Sequence, residues 1–182
     1  MRALFSLPNL LTCVRIALTP VIVVALIASD CRDAFWLSLV AGLTDAADGY
    51  VARRMGYETR VGAYLDPIAD KVLLTALYLC FGVADLVPWW LVWLVVGRDL
   101  MILSLAAAGL LWKGIRDFPP TIWGKLSTLL QIATSLAVIS GCAYSLSPTI
   151  VNCFLYATAV TTAWSGLHYL GRAAVSARAV SS

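Results

Sequence analysis

An all-helical membrane protein, with six spans gathered in one bundle, is the fold class this sequence predicts. The prediction rests on the hydropathy, on the spacing of the apolar runs, and on a lopsided placement of basic residues. The 182 residues are 61% hydrophobic and 13% charged, with a mean hydropathy of +0.87. A disordered chain needs low hydrophobicity and a disulfide scaffold needs dense cysteine. A nucleic-acid binder needs a basic excess well above the net charge of +3 found here, so all three classes are excluded.

The apolar runs cover about 10–28, 34–52, 61–83, 87–112, 122–144 and 150–171. About 20 residues cross the hydrocarbon of a bilayer, and a crossing segment must be helical because its backbone finds no water to bond. The first run holds Arg15 and Pro20 and lacks a small-residue cleavage site, so it reads as a retained helix and not as a signal peptide. Residues 1–8 are too short to span and mix Arg2 with Leu4, Phe5 and Leu7, which suits an interfacial segment as well as a frayed tail. Connectors are short, the longest being 113–121, and no internal repeat divides the chain, so 1–182 reads as one domain.

Arg2, Arg53, Arg54, Arg60, Lys113, Arg116, Lys125, Arg172 and Arg178 fall at one end of the spans, and only Arg32 at the other. The positive-inside rule therefore predicts a cytoplasmic location for both termini and the even-numbered connectors. Cys13, Cys31, Cys80, Cys142 and Cys153 form no close pair resembling a metal or redox motif and read as packing residues. Trp89, Trp90 and Trp93 suit an interfacial belt, and the lone His168 a structural role.

Four aspartates break this apolar pattern: Asp45 and Asp48 in the second span, Asp66 and Asp70 in the third. An ionised carboxylate at membrane depth is costly, and residues three or four apart share one helix face, so each helix presents a pair in one direction. The connector near 56–59 is short, which predicts antiparallel neighbours with both pairs near the basic end. At about 1.5 Å per residue, Asp48 lies roughly 8 Å below Arg53 and Asp70 roughly 15 Å below Arg60, the depth of the headgroup boundary.

Four like charges so close need compensation. The donors are all oxygen, which selects hard cations such as Mg²⁺, Mn²⁺ or Ca²⁺, and two divalent ions balance four carboxylates. Paired metals of this kind clamp phosphate during displacement. Gly49 and Gly62 leave the helices bare beside the cluster, and Arg53, four residues after Gly49, can bind phosphate oxygens bidentately. An ion or proton transporter is the rival reading, but it favours carboxylates at the midplane with access from both sides.

The run Asp45-Ala46-Ala47-Asp48-Gly49-Tyr50-Val51-Ala52-Arg53, eight residues, then Gly62-Ala63-Tyr64-Leu65-Asp66-Pro67-Ile68-Ala69-Asp70 resembles the signature of the CDP-alcohol phosphotransferase family at every fixed position. Pro8-Asn9-Leu10-Leu11-Thr12 and Arg15 are similar to its glycerolipid-synthesising branch. The resemblance implies a six-helix membrane enzyme, usually a homodimer, in which an acceptor alcohol displaces CMP from a CDP-linked lipid. By position it implies Asp45, Asp48, Asp66 and Asp70 as ligands of two divalent cations, Mg²⁺ or Mn²⁺. It makes Gly49, Ala52, Arg53 and Gly62 the CDP site, and Asp70 the general base, a role that the residues alone leave open between Asp66 and Asp70. The substrates it implies are CDP-diacylglycerol and a glycerol-type alcohol, in a bacterial or organellar inner membrane, with the site facing the cytoplasm and no nucleic acid involved.

Arg98, Lys125 and Lys71 are the cations expected at the acceptor. Each also has a plainer reading: Arg98 with Asp99 as a buried structural pair, Lys125 as an interface anchor, Lys71 as a snorkelling or paired lysine. Phosphatidylglycerophosphate synthases typically carry a second Arg about a turn and a half after an Arg-Glu pair in the fourth span, and none follows Arg98-Asp99 here. Arg98-Asp99 with Asp117-Phe118-Pro119-Pro120-Thr121, Lys125, Thr128 and Gln131 is similar to the eukaryotic-type cardiolipin synthases, whose acceptor is phosphatidylglycerol. A phosphodiester carries one charge fewer than a phosphomonoester, so one fewer cation suits it. Phosphatidylglycerol is therefore the favoured acceptor and glycerol 3-phosphate the alternative.

Overall fold

The computed structural model describes residues 7–55, 60–111 and 121–181, with side chains at 14, 16–44, 71–105 and 121–172. The described residues form six helices and no strand: α1 (Leu7–Ile27), α2 (Cys31–Met55), α3 (Arg60–Val83), α4 (Trp89–Leu111), α5 (Ile122–Tyr144) and α6 (Pro148–Ser181). Of the 1–8 stretch read as interfacial, residues 1–6 lie outside the described residues, and Leu7 and Pro8 belong instead to α1. Within the described residues, Ile122–Tyr144 and Pro148–Arg172 are long and apolar enough to cross a membrane, and Ile16–Ile27 and Lys71–Val83 are shorter apolar stretches.

Three tight turns join the helices at one end. After α1, Ser29 takes φ 61° and after α3 Asp85 takes φ 54°. In each case the next amide reaches back five residues, Asp30 N to Ala25 O at 2.8 Å and Leu86 N to Phe81 O at 2.9 Å. These are Schellman caps, which satisfy carbonyls that a helix end would otherwise leave bare. Ser145, with φ 55°, closes α5 in the same left-handed conformation.

α1 packs on α2 and α3, α3 on α4 and α5, α5 on α2 and α6, and α4 on α6. The shared core is Ile22 and Leu26 of α1, Ala34 and Ala41 of α2, Leu77, Tyr78 and Phe81 of α3, Leu91, Val92 and Val95 of α4, Val138 and Ile139 of α5, and Leu155 of α6. Among the described residues the backbones of α2 and α3 do not closely approach each other; α1 bridges them on one side and α5 on the other. The predicted neighbours are thus held apart along their outer halves.

α5 and α6 meet through hydroxyls and an amide. Thr134 and Thr158 share a hydrogen bond of 2.7 Å, Ser127 and Thr162 one of 3.1 Å, and Gln131 Nε2 donates to Ser127 and Thr162 at 3.4 Å. All five side chains are fully buried. Lipid supplies little hydrophobic drive between helices, so small polar residues that allow close approach and bond across it are the expected glue. Outward, Val24, Leu43, Trp93, Leu129 and Leu167 are each more than 60% exposed, the apolar exterior that a helix facing lipid presents. Trp89, Trp90 and Trp93 are exposed, as an interfacial belt requires.

One expectation is corrected. Cys31, at the start of α2, and Cys142, near the end of α5, form a disulfide with Cα atoms 5.7 Å apart. Separated by 111 residues, they offer no local spacing that a sequence reading could detect. Cys80 is a buried free thiol, as a packing residue should be, whereas the free thiol of Cys153 is exposed. Peptide mapping under denaturing, non-reducing conditions should recover Cys31 and Cys142 in one cross-linked species that reductant splits. Alkylation of both thiols before reduction would contradict the pairing.

Candidate functional site

α2 runs unbroken through Asp45 and Asp48, and α3 through Asp66 and Asp70. The helical spacing therefore holds, and each pair shares a face of its helix. Met55 and Arg60 bound the short connector, so the aspartate-bearing parts of the two helices belong to the same end of the molecule. The side chains of Asp45, Asp48, Gly49, Ala52, Arg53, Gly62, Asp66 and Asp70 lie outside the described residues.

Next to this register, the separation of α2 and α3 opens a cavity of about 260 Å³. Its walls are Ser38, Leu39, Ala41, Gly42 and Leu43 from α2, Leu73, Leu74 and Leu77 from α3, and Thr128, Ile132, Ser135 and Leu136 from α5. Gly42 precedes Asp45 by three residues and Leu73 follows Asp70 by three, about one helical turn on each helix. Two hydroxyls in the wall are turned back onto their own helix, Thr128 Oγ1 to Gly124 O at 3.1 Å and Ser135 Oγ to Gln131 O at 2.9 Å. The lining is consequently apolar apart from Ser38 Oγ, which is buried without a partner.

A second polar centre sits where α3, α4, α5 and α6 converge. Asp99 takes Lys71 Nζ on Oδ2 and Arg98 Nη1 on Oδ1, both at 2.7 Å. Arg98 Nη2 donates to Ser165 Oγ at 2.7 Å and to Gly124 O at 3.5 Å, and the guanidinium lies 5.9 Å from the centre of the Tyr169 ring. Tyr169 Oη in turn accepts the Thr121 amide at 3.1 Å, and Thr121 Oγ1 caps α5 by accepting from Gly124 N at 3.1 Å. Arg98 is 7% exposed and its Nε has no partner.

The three expected acceptor cations thus occupy different settings. Arg98 is buried and bonded, the Lys71 side chain is 40% exposed but tied to Asp99, and Lys125 is exposed on the first turn of α5. Thr128 lines the cavity, whereas Gln131 faces α6. His168 is exposed. Sequence reading missed Ser165, Tyr169 and Gly124 as partners of Arg98. The available signal was the 4, 3, 4 spacing of Thr158, Thr162, Ser165 and Tyr169, a polar stripe on an otherwise apolar helix.

Comparison with known proteins follows the same lines. The family model described as CDP-alcohol phosphatidyltransferase matches residues 5–164. The chain is 32% identical over 189 residues to a human protein named cardiolipin synthase (CMP-forming), covering 91% of this chain and 62% of that one. It is 33% identical over 127 residues to a putative cardiolipin synthase of Mycobacterium bovis, covering 68% and 59%. It is 32% identical over 177 residues to a probable phosphatidylglycerophosphate synthase of Mycobacterium tuberculosis, covering 92% and 81%. The chain spans about three fifths of the length of the two cardiolipin synthases.

A Cβ at Gly124 would meet Tyr169 Oη at 3.0 Å and Arg98 Nη2 and Thr121 Oγ1 at 3.3 Å. Gly124→Ala should therefore push these groups apart and destabilise the protein by about 1–3 kcal/mol, the scale of overpacking. A thermal melt in detergent reads the loss, and an unchanged midpoint would show that the junction yields freely.

Proposed function

The chain belongs to the CDP-alcohol phosphatidyltransferase family, and from that premise we propose that it transfers the phosphatidyl group of CDP-diacylglycerol to a glycerol-type alcohol with release of CMP. The observation that carries this reading is the apolar cavity about one helical turn along α2 and α3 from the aspartate positions, which supports room for an acyl chain near them in the sequence register. An ion pathway has no use for such a cavity. Phosphatidylglycerol is the acceptor we favour, which makes the product cardiolipin. The similarity to the probable phosphatidylglycerophosphate synthase, which extends over 81% of that protein, supports glycerol 3-phosphate as the second reading.

Asp45, Asp48, Asp66 and Asp70 would hold two divalent cations, Mg²⁺ or Mn²⁺, and the all-oxygen donor set fits hard ions. Such ions, when bound, neutralise pyrophosphate oxygens and the charge that develops on the departing CMP. Gly49, Ala52 and Gly62 leave room for the cytidine diphosphate against the backbone, and Arg53 binds its phosphate oxygens. Asp70 removes the proton from the acceptor hydroxyl as its oxygen attacks the phosphorus that bears the diacylglycerol. The new P–O bond forms as the bond to CMP breaks, and CMP keeps that electron pair. Apolar walls keep water from competing as the nucleophile. Arg98, Lys71 and Lys125 form the acceptor side.

In the membrane, six spans would place the basic end and the carboxylates at the cytoplasmic or matrix face of an inner membrane. The Cys31–Cys142 disulfide and Arg32 would then lie at the opposite, oxidising face, where disulfides persist, which supports this orientation. The working unit would be a homodimer.

Asp70→Asn should retain CDP-nucleotide binding and lose at least about a hundredfold in rate, the scale of a missing general base. CMP release from labelled CDP-diacylglycerol measures it with each acceptor in turn. Full activity in the variant would assign the proton to another group.

A further inference from the structure

The junction of Lys71, Arg98 and Asp99 holds two cations and one carboxylate, a formal charge of +1 whose paired atoms are buried. The Asp99 side chain is 8% exposed and the Arg98 side chain 5%. Lysines near a membrane surface ordinarily send the ammonium outward and bury the stem. Lys71 does the reverse: its side chain is 40% exposed while Nζ itself is buried, drawn inward onto Asp99 Oδ2. Each carboxylate oxygen is committed to a different cation, so Asp99 cancels one positive charge.

Unused donors remain. Arg98 Nε is buried without a hydrogen-bond partner, although Nη1 and Nη2 are satisfied. Lys71 has three N–H donors, and its ion pair engages one carboxylate. Lys71 also follows Asp70 directly in the sequence of α3, the residue assigned to the acceptor hydroxyl under the proposed function. Lys125 is exposed, where water and salt screen its charge, so it adds little to the buried balance.

We propose that Asp99 determines acceptor specificity. By cancelling one of its two flanking cations, it leaves a buried charge of +1 that matches the single negative charge of a phosphodiester such as phosphatidylglycerol. A phosphomonoester such as glycerol 3-phosphate, with up to two charges, is under-compensated there. Discrimination is a difference between two affinities, and a fixed buried charge shifts it without adding a contact to either ligand. This inference rests on the phosphatidyltransferase reading above.

The test assays purified wild type, Asp99→Asn, Asp99→Glu, Lys71→Met and Lys71→Arg for CMP release from CDP-diacylglycerol, with phosphatidylglycerol and glycerol 3-phosphate in separate reactions. Asp99→Asn raises the buried charge to +2, and its kcat/KM ratio should shift toward glycerol 3-phosphate by about tenfold or more. Asp99→Glu keeps the charge and should keep the wild-type ratio. Lys71→Met needs no stable Asp99 variant; it should raise KM for phosphatidylglycerol about fivefold or more with kcat little changed, and Lys71→Arg should restore KM. Equal losses with both acceptors in Asp99→Asn, or an unmoved KM in Lys71→Met, would overturn the specificity role and leave the centre a structural strut. A wild-type protein that releases no CMP with either acceptor would overturn the functional reading as well.

Discussion

A carboxylate set into an apolar helix must find positive charge, and this molecule does so in two ways. Asp99 finds it within the chain, between Lys71 and Arg98 at 2.7 Å each. Asp45, Asp48, Asp66 and Asp70 are four on two helices, and under the proposed function divalent cations from outside balance them. On the proposed reading, one constraint divides the acidic residues into Asp99, compensated within the chain, and four aspartates that take cations as ligands.

The rest of the fold serves that division. Hydroxyl and amide contacts along α5 and α6 fix their pairing without bulky side chains, and Thr121, Gly124, Ser165 and Tyr169 carry the pairing to Arg98. The disulfide ties α2 to α5 beyond the far end of the cavity. With the backbones of α2 and α3 kept apart among the described residues, an apolar cavity opens near the aspartate register. Burying polar groups is expensive unless they are bonded, and most of the described ones are. Ser38 Oγ at the cavity, Arg98 Nε and Lys71 Nζ at the junction, and Gln131 Oε1 between α5 and α6 have no hydrogen-bond partner, although Lys71 Nζ is ion-paired with Asp99.

Much of this was legible from residues alone, because the signals are local. Apolar runs set the six helices, and their ends fall within a few residues of the expected ones except at the C-terminus, where α6 continues to Ser181. A span rule counts hydrophobicity and stops near Arg172, but helical hydrogen bonding does not require an apolar environment. The paired aspartates were visible because three- and four-residue spacings are helix faces. What escaped notice depends on helices that the chain brings together from a distance. Cys31 and Cys142 pair across 111 residues, Arg98 meets Ser165 across 67, and the cavity is a gap between three helices that no single segment encodes. Arg98 and Asp99 could be read as a pair, but the capture of Lys71 by Asp99 could not, since it depends on how α3 lies against α4.

The central claim is that the four aspartates act by holding divalent cations. Equilibrium dialysis of exhaustively chelated protein against Mn²⁺, with CMP release followed in the same samples, tests it most directly. The account predicts no turnover in the stripped protein, recovery as Mn²⁺ is returned, and a stoichiometry near two ions per chain that falls when Asp45 or Asp66 is changed to Asn. Undiminished turnover after complete removal of metal would contradict it.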